Sequence, residues 1–146
     1  MANLTISAAK SSDAKAIRNL LANAELPSED FAQHLDHFLT AKQNGTFVGA
    51  VGLEIYGESG LLRSLVVDRT YRGQEVGKTL CEQIFAYAQD QGVKKLYLLT
   101  TTAADFFPKL GFNTIDRDSV PPAIQATEEF ASICPSTAVC MVKGII

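Results

Sequence analysis

Leu4, Ile6 and Ala8 take every second position at the start of the chain, the period of a half-buried strand. The period then changes. Ser11, Ser12 and Asp13 offer helix-capping side chains, and Ile17, Leu20 and Leu21 form one apolar stripe, so a helix is expected over residues 14–22. Pro27 breaks it, and Ser28, Glu29 and Asp30 can open a short second helix. Residues 38–43 and 46–55 read as the two strands of a hairpin, because Asn44-Gly45 between them suits the left-handed backbone of a tight turn. A further turn over residues 57–60 leads to a strand over 61–67.

Residues 77–91 return to the helical period through Leu80, Ile84 and Ala88, with Gly92 as the C-cap. The near-continuous apolar run at 96–99 predicts a strand buried on both faces. A short helix over 103–110, a strand near 112–115, a helical turn begun by Pro121-Pro122 and a closing strand over 138–142 complete the pattern. This order is an α/β arrangement with a mixed sheet. No linker, repeat or low-complexity segment interrupts it, and 146 residues suit one domain with a single substantial core.

Composition narrows the function classes. With 47% apolar and 20% charged residues the balance is globular rather than disordered. A formal charge of −3 without a basic run argues against general nucleic-acid binding. No apolar stretch approaches the roughly 20 residues that span a bilayer, and the N-terminus lacks a signal-peptide core, so a cytoplasmic protein with no membrane partner is expected. Cys81, Cys134 and Cys140 are odd in number and match no zinc spacing, which predicts reduced thiols. His34 and His37 lie one helical turn apart but lack a third ligand at any familiar spacing, so no metal is expected.

The most informative stretch follows the strand at 61–67, where a short loop containing Arg72, Gly73 and Gly77 runs directly into a helix. That geometry presents unpaired backbone N–H groups at the positive end of a helix, a site suited to a pyrophosphate. Residues 64–80 resemble the acyl-CoA loop of the GNAT family of N-acetyltransferases, whose pattern after a strand is Arg/Gln-x-x-Gly-x-Gly/Ala. Arg72, Gln74, Val76 and Gly77 fit, and Glu75 stands where the family has its middle glycine. The resemblance implies a single-domain GNAT fold, α/β with a mixed, mostly antiparallel sheet and helices on both faces. In that fold the strand before the loop splays from the one after the helix. It also implies acetyl-CoA as co-substrate. Leu65, Val66 and Val67 would then offer main-chain groups to the pantetheine arm, and the N–H groups of Gly73, Glu75, Gly77 and Lys78 would hold the pyrophosphate, with Arg72 adding charge. The Glu75 carboxylate would oppose the phosphates by like-charge repulsion, and its Cβ would crowd the approach.

Residues 100–112 resemble the family's second signature, Asn-x-x-Ala-x-x-x-Tyr-x-x-x-Gly-Phe. Ala103, Gly111 and Phe112 match, Thr100 takes the asparagine position, and Phe107 takes that of the tyrosine that in many relatives protonates the departing thiolate. Phenylalanine has no proton to give, and Phe106 and Phe107 equally suit core packing. A base is needed to free the amine lone pair. Relatives often carry a glutamate on the strand before the loop, and residues 61–67 contain none. Glu54 and Glu58 are candidates acting through a water, the alternative being solvated turn residues. Arg63, within an apolar strand, needs an anionic partner or solvent. It grips a substrate carboxylate or oxyanion, or it forms an internal salt bridge; both readings stand. Arg63, Ser64 and Thr101, with Thr100 and Thr102, are the candidates facing the acceptor.

From about His34 onward the chain also resembles a branch of acetyltransferases associated with arsenic-resistance loci. The similar residues include Leu62 to Leu65, Tyr97 to Thr102 and Pro122 to Pro135. That resemblance suggests a metalloid-linked role without a defined substrate, and Cys134 is either a thiol for such a role or simply structural. The expectation is an acetyl-CoA-dependent N-acetyltransferase, monomeric or homodimeric, acting on a small-molecule amine, acidic and amino-acid-like or metalloid-containing. The alternatives are a non-catalytic acyl-CoA or metalloid-responsive binding protein and, as a third reading, a protein-interaction module using the C-terminal segment.

Overall fold

The computed structural model describes residues 4–24, 31–71, 75–100, 105–127, 130 and 138–145. In chain order the strands are β1 (Leu4–Ala8), β2 (Phe38–Gln43), β3 (Thr46–Tyr56), β4 (Ser59–Val67), β5 (Lys95–Thr100), β6 (Asn113–Ile115) and β7 (Val139–Gly144). The helices are α1 (Ala14–Asn23), α2 (Val76–Asp90) and the single turn α3 (Pro122–Gln125). The strands form one seven-stranded sheet in the order β1-β2-β3-β4-β5-β7-β6. The β1–β2, β2–β3, β5–β7 and β6–β7 pairs are antiparallel, whereas β4 and β5 are parallel. A parallel pair needs a crossover, which α2 supplies. The mixed, mostly antiparallel sheet expected from the sequence is present.

The chain packs as two compact units, residues 1–53 with 64–87 and residues 54–63 with 88–146. In the first unit Ile17 and Leu21, one turn apart on α1, pack with Phe38, Ala50 and Val66. Burying each of Ile17, Leu21, Phe38 and Val66 contributes about 1.5–3 kcal/mol. Asn44 and Gly45 take φ values of +53° and +82°, the left-handed pair that a two-residue hairpin turn requires. Gly49 lets layers approach: a Cβ there would lie 2.9 Å from the Val66 carbonyl oxygen and 3.1 Å from Leu80 Cδ1. One local reading changes. Ser11–Asp13 form a 3-10 turn of their own, and Asp13 Oδ2 accepts the Lys10 N–H at 2.9 Å, capping that turn instead of α1. A 3-10 turn, Phe31–His37, enters β2, and the second helix expected from residues 28–30 begins outside the described residues.

In the second unit the parallel register runs from Ser59↔Lys95 to Leu61↔Tyr97, and β7 lies between β5 and β6. Ser59 and Gly60 therefore belong to β4, and the turn before it is Gly57-Glu58, shorter than the four residues expected. Leu61, Tyr97, Val120, Ile124 and Cys140 make this unit's core. The end of α2 matches the sequence reading closely. Gly92 sits at φ +85°, its N–H donates to Gln89 O at 3.0 Å, and the Val93 N–H donates to Ala88 O at 3.0 Å. That is the paired bonding that closes a helix on a left-handed residue. Cys81 and Cys140 are free and buried, while Cys134 lies outside the described residues. Among the described residues no helix is long and apolar enough to cross a membrane.

Candidate functional site

On β4 Val66 points into the core of the first unit, while Leu65 and Val67 are half-buried. Ser64 breaks the strand's regularity with φ +58°. A non-glycine residue there costs roughly 1–2 kcal/mol, because its Cβ crowds the following carbonyl. Beyond the strand, the Asp68 N–H donates to Val48 O at 2.8 Å, and Asp68 Oδ1 accepts the Thr70 N–H at 2.9 Å. The chain thereby turns into the 3-10 segment Arg69–Tyr71. Arg72, Gly73 and Gln74 lie outside the described residues.

Glu75 is exposed with φ +63°, and its carbonyl accepts the Thr79 N–H at 3.0 Å, the first bond of α2. The N–H groups of Val76, Gly77 and Lys78 therefore precede the helix's own ladder, at its positive end. Val76 is buried, Gly77 half-buried and Lys78 exposed. The left-handed backbone gives a physical reason for a glycine at position 75: glycine takes that conformation without a Cβ penalty. Sequence reasoning weighed the charge and the Cβ of Glu75 but missed its φ, although the glycine of the pattern was the signal.

Glu54 is not the solvated turn residue allowed by the sequence. β3 continues to Tyr56, so Glu54 lies within the strand and is 2% exposed. The Tyr56 hydroxyl donates to Glu54 Oε1, and Arg63 Nη1 donates to Glu54 Oε2 at 2.6 Å. Arg63 is 3% exposed. Of its two readings, the internal salt bridge is the contact observed. Tyr56 was missed, although it sits two residues from Glu54, on the same side of a strand. Glu58 is an exposed turn residue whose Oε2 meets Lys94 Nζ at 2.9 Å; in water such a pair contributes about 0–1 kcal/mol.

Thr100 is buried at the end of β5, opposite Val139, while Thr101 and Thr102 lie outside the described residues. Phe107 is 5% exposed and meets Phe106 and Phe112 edge-to-face, at centroid distances of 5.2 and 5.5 Å. The packing role allowed for it is the one observed. Of the two histidines, His37 is hydrogen-bonded through Nδ1 to the Tyr87 hydroxyl. Burial first, and the Asp36 charge second, push the Tyr87 phenol above its ordinary value.

Comparison with known proteins places this geometry. Residues 10–112 match the model of the acetyltransferase (GNAT) family. The amino-acid acetyltransferase of Escherichia coli K12 is 30% identical over 95 residues, which are 64% of this chain and 21% of that protein. The chain thus spans about a fifth of the length of that curated relative. An N-acetyltransferase of Chlorobaculum tepidum is 26% identical over 113 residues, 77% of this chain and 70% of that one. Among solved structures, N-acetylglutamate synthase from Neisseria gonorrhoeae, complexed with coenzyme A and N-acetyl-glutamate, superposes with a TM-score of 0.87 at 21% identity. The match covers 100% of this chain and 36% of that one. The ribosomal-protein-S18-alanine N-acetyltransferase from Escherichia coli gives 0.76 at 21% identity, covering 97% and 94% of the two chains. These likenesses show the fold. Because the family model runs from the approach to α1, through the strand, left-handed Glu75 and helix just described, to Phe112, this chain belongs to the acetyltransferase (GNAT) family.

Proposed function

We propose that this chain transfers the acetyl group of acetyl-CoA to the amine of a small, amino-acid-like acceptor. The observation that carries the reading is the backbone at 75–78, where a left-handed residue turns the chain so that the N–H groups of Val76, Gly77 and Lys78 head α2. A helix start with unsatisfied donors suits a pyrophosphate. Gly73, Glu75, Gly77 and Lys78 would bond it through their N–H groups, Arg72 would add charge, and Gln74 and Val76 would shape the loop. The main chain of residues 65–67 would align the pantetheine arm. Acetyl-CoA supplies the acyl carbon and a thiolate leaving group: the amine forms the C–N bond as the C–S bond breaks.

The acceptor class is supported by one relative, the amino-acid acetyltransferase of Escherichia coli K12, and by a structural neighbour solved with N-acetyl-glutamate. Ser64, Thr100 and Thr101 are the proposed acceptor-side residues. Arg63, bonded to Glu54, would have to share that guanidinium with an acidic acceptor. Of the two candidates for taking the amine proton through a water, Glu58 is exposed and is the proposed route, whereas Glu54 is buried and engaged at both carboxylate oxygens. With Phe107 packed among aromatic rings, protonation of the thiolate falls to water or to a threonine hydroxyl. A metalloid-containing acceptor rests on the arsenic-associated resemblance alone. The same packing of Phe107 favours a second reading, a non-catalytic acyl-CoA-binding protein.

Calorimetry with acetyl-CoA and desulfo-CoA, followed by thiol-release assays on amino acids, their phosphorus and arsenic analogues, and polyamines, separates these readings. Saturable binding with thiol release on amino acids is the expected result. Binding without release on any amine would favour the second reading, and absence of binding would remove both.

A further inference from the structure

Two of the most buried polar side chains in the second unit, Glu54 and Arg63, form an ion pair at 2.6 Å, and their side chains are 3% and 0% exposed. Neighbouring positions 61, 62 and 65–67 are all apolar, and β3 and β4 would be as well filled by apolar side chains. Burying two charges costs desolvation that their attraction often only balances, and apolar residues of similar volume are commonly neutral or stabilising in their place. Stability is therefore a weak reason for this pair. Its position in the chain is a stronger one. Arg63 immediately precedes Ser64, whose φ of +58° within a strand persists only where its surroundings over-determine it. The Glu54 carboxylate is fixed at both oxygens, by the Tyr56 hydroxyl at Oε1 and by Arg63 Nη1 at Oε2.

We infer that Glu54 is a positioning residue: through Arg63 it holds β4 at the residue before the left-handed Ser64, and so sets the main chain of residues 65–67. The catalytic consequence rests on the proposed function, which gives that main chain to the acyl-CoA arm; the structural consequence does not. A base role for Glu54 would need its carboxylate to reach the acceptor amine, directly or through water, whereas positioning needs only the contacts observed.

The test uses the whole chain, labelled with nitrogen-15, in four variants: Glu54→Gln, Arg63→Met, Arg63→Lys, and the apolar pair Glu54→Leu with Arg63→Met. Amide shifts of residues 64–67 read the strand without any acetyl transfer. They are expected to move in Glu54→Gln, Arg63→Met and the apolar pair, and to stay nearer the wild type in Arg63→Lys, which keeps the charge. Turnover is expected to fall by about 10²-fold in the displaced variants, as an ångström-scale misplacement does, with the KM for the acceptor changed far less. The apolar pair keeps the inference testable should a single variant fail to fold, because it is expected to melt at or above the wild-type temperature. Unmoved amides at 64–67 in the apolar pair overturn the inference, as does wild-type turnover in that pair. Loss of the acid limb of the pH–rate profile in Glu54→Gln, with the amides unmoved, would instead make Glu54 the base. A wild type that transfers no acetyl group defeats the proposed function and leaves the shifts to decide this inference.

Discussion

At Glu75 two penalties coincide in one residue, a left-handed backbone at φ +63° and a carboxylate beside a site proposed for phosphates. They separate by substitution. Glu75→Gly removes both and is expected to raise folding stability by about 1 kcal/mol, through relief of the left-handed strain. Glu75→Gln removes only the charge. Both should tighten acetyl-CoA binding, by on the order of 1 kcal/mol for a solvent-screened charge, with only the glycine variant gaining in urea unfolding. Equal affinities for all three proteins in calorimetry would mean that the side chain points away from the ligand. Phe107 occupies the position of the family's general-acid tyrosine. A tyrosine there, taken from sequence alone, would restore a general acid and speed turnover. Its ring is instead enclosed between Phe106 and Phe112, so Phe107→Tyr buries a hydroxyl among aromatic rings. The expected outcome is a loss of about 1–3 kcal/mol in denaturant unfolding without a gain in turnover; unchanged stability would mean that the added hydroxyl is hydrogen-bonded. These residue-scale facts were hard to read in sequence. The strand read over residues 46–55 already contains Glu54, but nothing near it in the chain announces that its carboxylate is buried or that Arg63, nine residues on, will meet it.

Elements were more legible than residues because their signals are local. The alternation at Leu4, Ile6 and Ala8, the Asn44-Gly45 turn and the Gly92 cap each specify backbone geometry through neighbouring residues, and each is found in β1, in the β2–β3 hairpin and at the end of α2. The errors lie at element edges, where tertiary pairing competes with local preference. Pairing with β5 extends β4 back to Ser59, and the 3-10 turn before α1 takes up the Asp13 side chain. Contact between elements makes a further prediction. A methyl group at Gly49 would meet the Val66 carbonyl at 2.9 Å and Leu80 Cδ1 at 3.1 Å, and the backbone carbonyl cannot swing aside. Gly49→Ala is therefore expected to lose about 1–3 kcal/mol in urea unfolding, the usual cost of overpacking, although alanine has the better intrinsic propensity. Unchanged stability would mean that β3 and β4 can part without cost.

For the whole molecule, buried thiols and phenols are expected to weaken stability at alkaline pH. Burial, with a smaller push from Glu82, raises the Cys81 thiol to about 12, and burial raises Cys140 to about 11 against the lowering effect of Arg117. Burial first, with the Cys140 thiol second, also raises the Tyr97 phenol. Each group has a higher pKa folded than unfolded, so its stabilising contribution is complete below the unfolded value, 9.0 for the thiols, and is lost as pH rises through the folded one. Melting temperature is expected to hold up to about pH 9 and then to fall toward pH 12. Cys81→Ala should flatten that fall, and an unaltered alkaline slope in the variant would remove Cys81 as a cause. Sequence by itself determined the α/β class, the strand-loop-helix at 64–80 and the family resemblance there, since hydrophobic period, turn residues and helix-terminus chemistry are all set by near neighbours. Tertiary structure alone decided that β7 lies between β5 and β6, that Arg63 is held by Glu54, which of its two readings Phe107 takes and that Ser64 is left-handed. Most of these depend on residues distant in sequence meeting in space, and left-handed Ser64 on a backbone held against its local preference, neither of which periodicity encodes.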